Sequence, residues 1–157
     1  MATDPATLTD PQQLRNLADN ARARGREDLA FDCLVRIAEL AGQSYDPGIE
    51  REFWQAINVA EELRSFETGK TARLSRTRQK VVRVGVVATV RDLAKARKTT
   101  EGFRILVAGG RPDLTAEAIA IRHPECFDKD VLDAARAKLN AAGVNLARVA
   151  RATTGDQ

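Results

Sequence analysis

Three groups of residues in this chain have types and spacings that could do chemistry. Gly69-Lys70-Thr71 has the ending of a phosphate-binding loop, His123 is a titratable base, and Glu125, Asp128 and Asp130 could gather around a cation. Each needs something the neighbouring sequence does not supply. A phosphate-binding loop requires a further glycine upstream so that backbone amides can wrap the phosphates, and a buried strand leading into it. Here that upstream position is Arg64, and residues 49–66 have the apolar spacing of a long helix. Gly69 is therefore read as the left-handed residue that ends this helix, with Lys70 beside the negative end of the helix dipole.

His123 is the sole histidine and stands before Pro124, where a helix should stop. A local structural role is expected, since histidine-based metal nuclease motifs need more than one. The acidic cluster lacks the alternating ligands and glycine of a calcium loop. Asp128 and Asp130 suit the start of the following helix, as cap and dipole partners. Glu61 and Glu62 should lie about 100° apart on a helix and be solvated. Cys33 and Cys126 are far apart, with no CxxC and no histidine at ligand spacing. They read as reduced thiols of a cytoplasmic protein, although one bridge between them is compatible with the sequence. No catalytic residue, metal, cofactor or small-molecule substrate is indicated, and a non-enzymatic protein is expected.

The 157 residues carry a formal charge of +3, which conceals a strong asymmetry. Residues 1–68 hold 7 basic and 13 acidic side chains, a balance of −6. Residues 69–104 hold 11 basic and 2 acidic, a balance of +9, and the remainder is neutral. A segment this unbalanced is the main functional signal. No apolar run approaches the ~20 residues of a membrane span, and the first residues have no secretory pattern.

The elements that must position these residues are helices. Asp10-Pro11 and Asp46-Pro47 are start signals, each a capping side chain followed by proline at the first helical position. Leu14, Leu17, Ala18 and Ala21 recur on one face until Gly25. A second helix covers about 26–41, with Leu29, Cys33, Leu34, Ile37, Leu40 and Ala41 at helical spacing. Ile49, Phe53, Trp54, Ile57, Ala60, Leu63 and Phe66 form the longest stripe, expected to be the spine of the core. Ser75 should cap a helix to about Arg83, and Gly85 separates it from a segment over 86–98 carrying Val86, Val90 and Leu93. Residues 81–90 are rich in β-branched side chains and would also suit a strand pair. One central glycine is short for a hairpin turn, so helices are preferred. Shorter helices follow, one with Asp113 as its cap. The core should close through Phe103, Leu106, Ile119, Phe127 and Leu132.

The expected architecture is all-α: a single compact multi-helix domain over residues 10–151, with a helix-turn-helix-like pair around Gly85. It divides into an acidic three-helix scaffold (10–68), the basic segment (69–104) and short C-terminal helices (105–151). Residues 1–9 and 152–157 are expected to be flexible. Within the basic segment, Arg76, Lys80 and Arg83 fall at i, i+4, i+7, with Arg73 extending the row backward. Arg91, Lys95 and Lys98 repeat the spacing. Leu74, Val81 and Val82, and then Val86, Val90 and Leu93, form the apolar backs. Like charges at this spacing oppose one another unless anions offset them.

These seven cations predict a surface for double-stranded DNA, contacted mainly through phosphates. No aromatic residue lies between Phe66 and Phe103 to stack single-stranded bases, and the apolar faces lack the aromatic anchors of a membrane surface. The competing expectation is an assembly module, binding a protein partner or a second copy. There, several of the cations would pair with Glu39, Asp46, Glu50, Glu61, Glu62 or the acids of another chain.

Overall fold

The spine is helix α3, Ile49–Thr68. Its middle is buried almost all the way round: Phe53, Gln55, Ala56, Ile57, Val59, Ala60 and Glu61 are all shielded from solvent. A helix packed on several sides needs more than one apolar stripe, which is why Ala56 and Val59 join the expected residues. The computed structural model describes residues 3–42, 45 and 48–150, and all secondary structure among them is helical. Asp46 and Pro47, an expected start signal, lie outside the described residues, as does the tail from residue 151. Gly48 occupies the cap position of α3.

Helices α1 (Pro11–Ala23) and α2 (Glu27–Gly42) form a hairpin against one side of α3. Asp10 caps α1 as expected, its Oδ1 accepting from the Gln12 amide at 2.9 Å. Leu14, Ala18, Ala30, Cys33, Leu34 and Ile37 are sealed into their own cluster. Cys33 is buried, Cys126 is exposed, and both thiols are free.

The chain continues through α4 (Ser75–Val84), α5 (Val86–Lys95), α6 (Glu101–Ala108), α7 (Ala116–Arg122), α8 (Lys129–Ala141) and the short α9 (Leu146–Val149). Residues 81–90 are thus helical, broken only at Gly85. The core joins Phe53, Ile57 and Val59 of α3 to Val86, Val90 and Ala94 of α5, Leu106 of α6, Ile119 of α7, and Val131 and Ala135 of α8. Phe127 and Leu132 pack against it while half-buried, and Phe103 belongs to a third cluster with Leu139 and Val149.

Several local expectations are corrected. Ser75 is the first residue of α4 and not its cap. Leu74 takes that place, with its amide donating to Glu61 Oε2 at 2.8 Å. Asp113 pairs with Arg111 instead of capping α7, and Thr115 Oγ1 accepts from the Ala118 amide at 3.1 Å. Asp128 holds the cap position of α8 but accepts no capping hydrogen bond there. At α4 the Glu61 carboxylate, and at α7 the better-placed Thr115 hydroxyl, changes the outcome; nothing in the structure explains Asp128.

His123 follows the last residue of α7 and contacts a distant acid at the start of α3. Its Nε2 lies 2.6 Å from Glu52 Oε2, while Arg122 Nε donates to Glu52 Oε1 at 2.8 Å. Arg122 Nη1 also donates to the Val149 carbonyl, so one clasp ties the start of α3 to α7 and α9.

Candidate nucleic-acid interface

The basic segment begins where α3 ends. Gly69 has φ +73°, the left-handed terminator anticipated for it, and its amide donates to the Ser65 carbonyl. The chain then crosses back over α3 as an arm. The Ala72 amide donates to Ser65 Oγ at 2.9 Å, and Glu61 receives the end of the arm. The structure overturns the solvated reading of Glu61. The residue is 8% exposed, and its two oxygens accept from Arg78 Nη2 at 2.6 Å and Arg78 Nε at 2.7 Å. A bidentate pair of this kind fixes direction as well as distance. Arg78 also donates to Asn58 Oδ1 and lies over the Trp54 ring, 5.5 Å from its centroid.

Burial pushes the Glu61 carboxyl up, but the Arg78 hydrogen bonds, the Leu74 amide and the Arg78 and Arg73 charges prevail. The group is held below the ordinary carboxylate range.

This anchor orients α4. With Arg78, Leu74 and Val81 turned toward α3, a 100° step per residue sends Arg76, Gln79 and Arg83 to the outer pole. No residue of α4 is buried. Arg73, Arg76 and Arg83 are exposed, and none forms an ion pair among the described residues. Lys80, at the edge of that pole, reaches across to α5, where its Nζ is 2.6 Å from Asp92 Oδ2. Arg91 Nε lies 3.2 Å from the other oxygen of Asp92, so the basic faces of the two helices meet at one carboxylate. The Lys80 hydrogen bond holds the Asp92 carboxyl below its usual range against the opposing effect of burial, with the Arg91 hydrogen bond and both positive charges adding to it. Lys95 Nζ is 3.2 Å from Asp130 Oδ2 of α8.

Two expectations about this surface fail. Val82 is not part of an apolar back: it is 87% exposed, and Val84 and Val87, on either side of Gly85, are exposed as well. The Arg78–Glu61 anchor rotates Val81 inward and leaves its neighbour outside. Lys98 is not on a helix with Arg91 and Lys95, because α5 stops at Lys95. At that end Lys138 Nζ of α8 donates to the Leu93 carbonyl at 2.8 Å, one of the C-terminal groups a helix leaves without an intrahelical partner. Lys98 is nevertheless exposed and without an ion pair among the described residues.

The acids that engage the expected cations are Asp92 and Asp130, not those named on the N-terminal scaffold. Asp46 lies outside the described residues. Glu61 does pair with the basic segment, but through Arg78, which spacing had not distinguished from its neighbours.

Gly85 is the hinge of the arrangement, with φ +89° and ψ 169°. That region is essentially closed to residues with a Cβ. A Cβ there would meet nothing within 4 Å, so the requirement for glycine is purely conformational. Gly85→Ala is expected to cost about 1–3 kcal/mol. A urea denaturation midpoint lowered accordingly, at unchanged m-value, would be the signature.

Comparison with known protein families, with curated proteins and with solved structures finds no match for this chain.

Proposed function

We propose that the protein binds double-stranded DNA through its phosphate backbone, using the outer faces of α4 and α5. The observation that carries this reading is the set Arg73, Arg76, Arg83 and Lys98, exposed and without an ion pair among the described residues. A row of like charges is costly on a bare surface and becomes favourable when a polyanion supplies the counter-charges. Arg91 and Lys95, about half exposed, extend the row at the edge of α5 while sharing carboxylates of the chain. The pair α4–Gly85–α5 acts in this proposal as a helix-turn-helix-like platform for backbone contact. No covalent step is assigned to it. A cytoplasmic location goes with the proposal, consistent with two free thiols. Among the described residues no helix is long and apolar enough to cross a membrane.

The test is fluorescence anisotropy with a labelled duplex of ~25 base pairs at about 50 and 200 mM salt. Six phosphate contacts would lower the affinity about a thousandfold over that range. Absence of binding at the lower salt by the folded protein rejects the proposal.

A second reading rests on a different observation, the exposure of Val82, Val84 and Val87 around Gly85 within the basic segment. An acidic amphipathic helix of a protein partner would satisfy both features of this surface. Val82→Ser separates the two readings. The substitution should change stability by no more than about 0.5 kcal/mol, because the side chain is already in water. It should leave duplex affinity within about twofold if phosphates are the target. A tenfold or greater loss of affinity for an acidic amphipathic peptide, with the duplex ignored, would favour the protein partner.

A further inference from the structure

Beneath the start of α4 lies a cavity of about 390 Å³ that the DNA proposal does not use. Its walls are Phe53 and Ile57 of α3, Leu106 of α6 and Ile119 of α7, and its rim is polar, with Arg76, Thr77 and Thr100. The volume is within the range of small-molecule sites, which combine apolar walls with a few placed polar groups.

The charges around the cavity select the kind of molecule it would take. Glu117, 1% exposed, forms part of the wall; its Oε2 lies 2.7 Å from Lys138 Nζ, an ion pair that offsets its charge, while the same oxygen accepts no well-aligned hydrogen bond. Glu101 stands at the rim and is engaged by Arg64 at 3.2 Å and Arg104 at 3.4 Å. Arg76 is the rim cation without a counter-ion among the described residues. The hydroxyls of Thr77 and Thr100 stand on the same rim. Thr100 Oγ1 accepts from the Phe103 amide as the cap of α6, which leaves its proton to donate.

We propose that this cavity binds a small apolar monocarboxylate, its carboxylate held by Arg76 and the rim hydroxyls and its hydrocarbon body against Phe53, Ile57, Leu106 and Ile119. An arginine fork matches a carboxylate, and an apolar body displaces water from walls that cannot hydrogen-bond. Arg76 also belongs to the proposed phosphate-contacting face, so ligand and duplex would compete for it. That competition rests on the DNA reading, whereas occupancy of the cavity does not.

The probe is naphthoate, with its neutral amide naphthamide as a control of the same shape. Binding is read without DNA, by isothermal titration calorimetry and by methyl carbon–proton spectra of Ile57, Leu106 and Ile119. The proposal expects saturable binding of naphthoate, shifts at those methyls, and an affinity about tenfold or more below this for naphthamide and for Arg76→Ala. Thr77→Phe, which fills the rim from α4, should abolish the shifts while circular dichroism reports an intact fold. Methyl spectra unmoved at millimolar naphthoate overturn the proposal. So does binding that is equal for naphthamide, for Arg76→Ala or for Thr77→Phe. None of these readouts depends on a nucleic acid, so the two proposals fail separately.

Discussion

Replacing Arg76 and Arg83 together by alanine is expected to weaken duplex binding and to flatten its salt dependence. Both side chains are exposed and neither has an ion-pair partner among the described residues, so their removal breaks no ion pair of the fold. Each lost phosphate contact should reduce the slope of log affinity against log salt by about one. For a protein making six contacts, the loss between about 50 and 200 mM salt would shrink from about a thousandfold to about a hundredfold. Lys80→Ala offers an internal comparison. Its ammonium is already engaged by Asp92 at 2.6 Å, so its removal should change the slope by less than that of Arg83. Anisotropy titrations of the native protein, the double variant, Lys80→Ala and Arg83→Ala at matched salt decide the matter. Equal slopes for native protein and double variant would remove α4 from the interface.

The largest effect on stability is expected at Glu61. The carboxylate joins α3 to Arg78 and to the Leu74 amide, holding both the arm and the first turn of α4. Glu61→Ala would leave the Arg78 guanidinium without its counter-charge. Breaking a buried pair costs about 3–5 kcal/mol, and the partial exposure of Arg78 reduces the expectation here to about 2–3 kcal/mol. In a chain of this length that is a fall in Tm of about 5–10 °C, measurable by calorimetry. Arg78→Ala should cost less, because the stranded carboxylate keeps the Leu74 amide. A double-mutant cycle isolates the coupling.

The same pair gives the fold an acid limit. The Glu61 carboxyl is held below the ordinary range in the folded protein, so its contribution is complete above the unfolded pKa of about 4.3 and is lost as pH falls through the lower folded value. Glu61→Gln should therefore narrow the difference between stability near neutrality and below about pH 4. A native protein as insensitive to acid as the variant would contradict the sign argued here.

Duplex binding by α4 should also depend on this anchor, since Arg76 and Arg83 face outward because Arg78 faces inward. Loss of the anchor without unfolding would leave their charges intact while releasing their alignment.

Helical class, the spine over 49–66, the break at Gly85 and the terminator at Gly69 were all legible in the sequence. Each follows from local chemistry: apolar side chains at helical spacing, and glycines at positions with positive φ, which strain residues that carry a Cβ. The excess of cations in residues 69–104 was equally visible, because charge is a property of composition. Which cations remain available was decided by tertiary structure. Arg78 and Arg83 are indistinguishable by type, yet one is held by Glu61 and the other has no ion-pair partner among the described residues. That difference depends on how α4 lies on α3, 17 residues away for the Arg78–Glu61 contact. The exposure of Val82, the Lys138 contact at the end of α5 and the cavity bordered by Arg76 have the same origin. They arise where elements distant in the chain meet, and the residues that meet there carry no mark of it in their own local pattern.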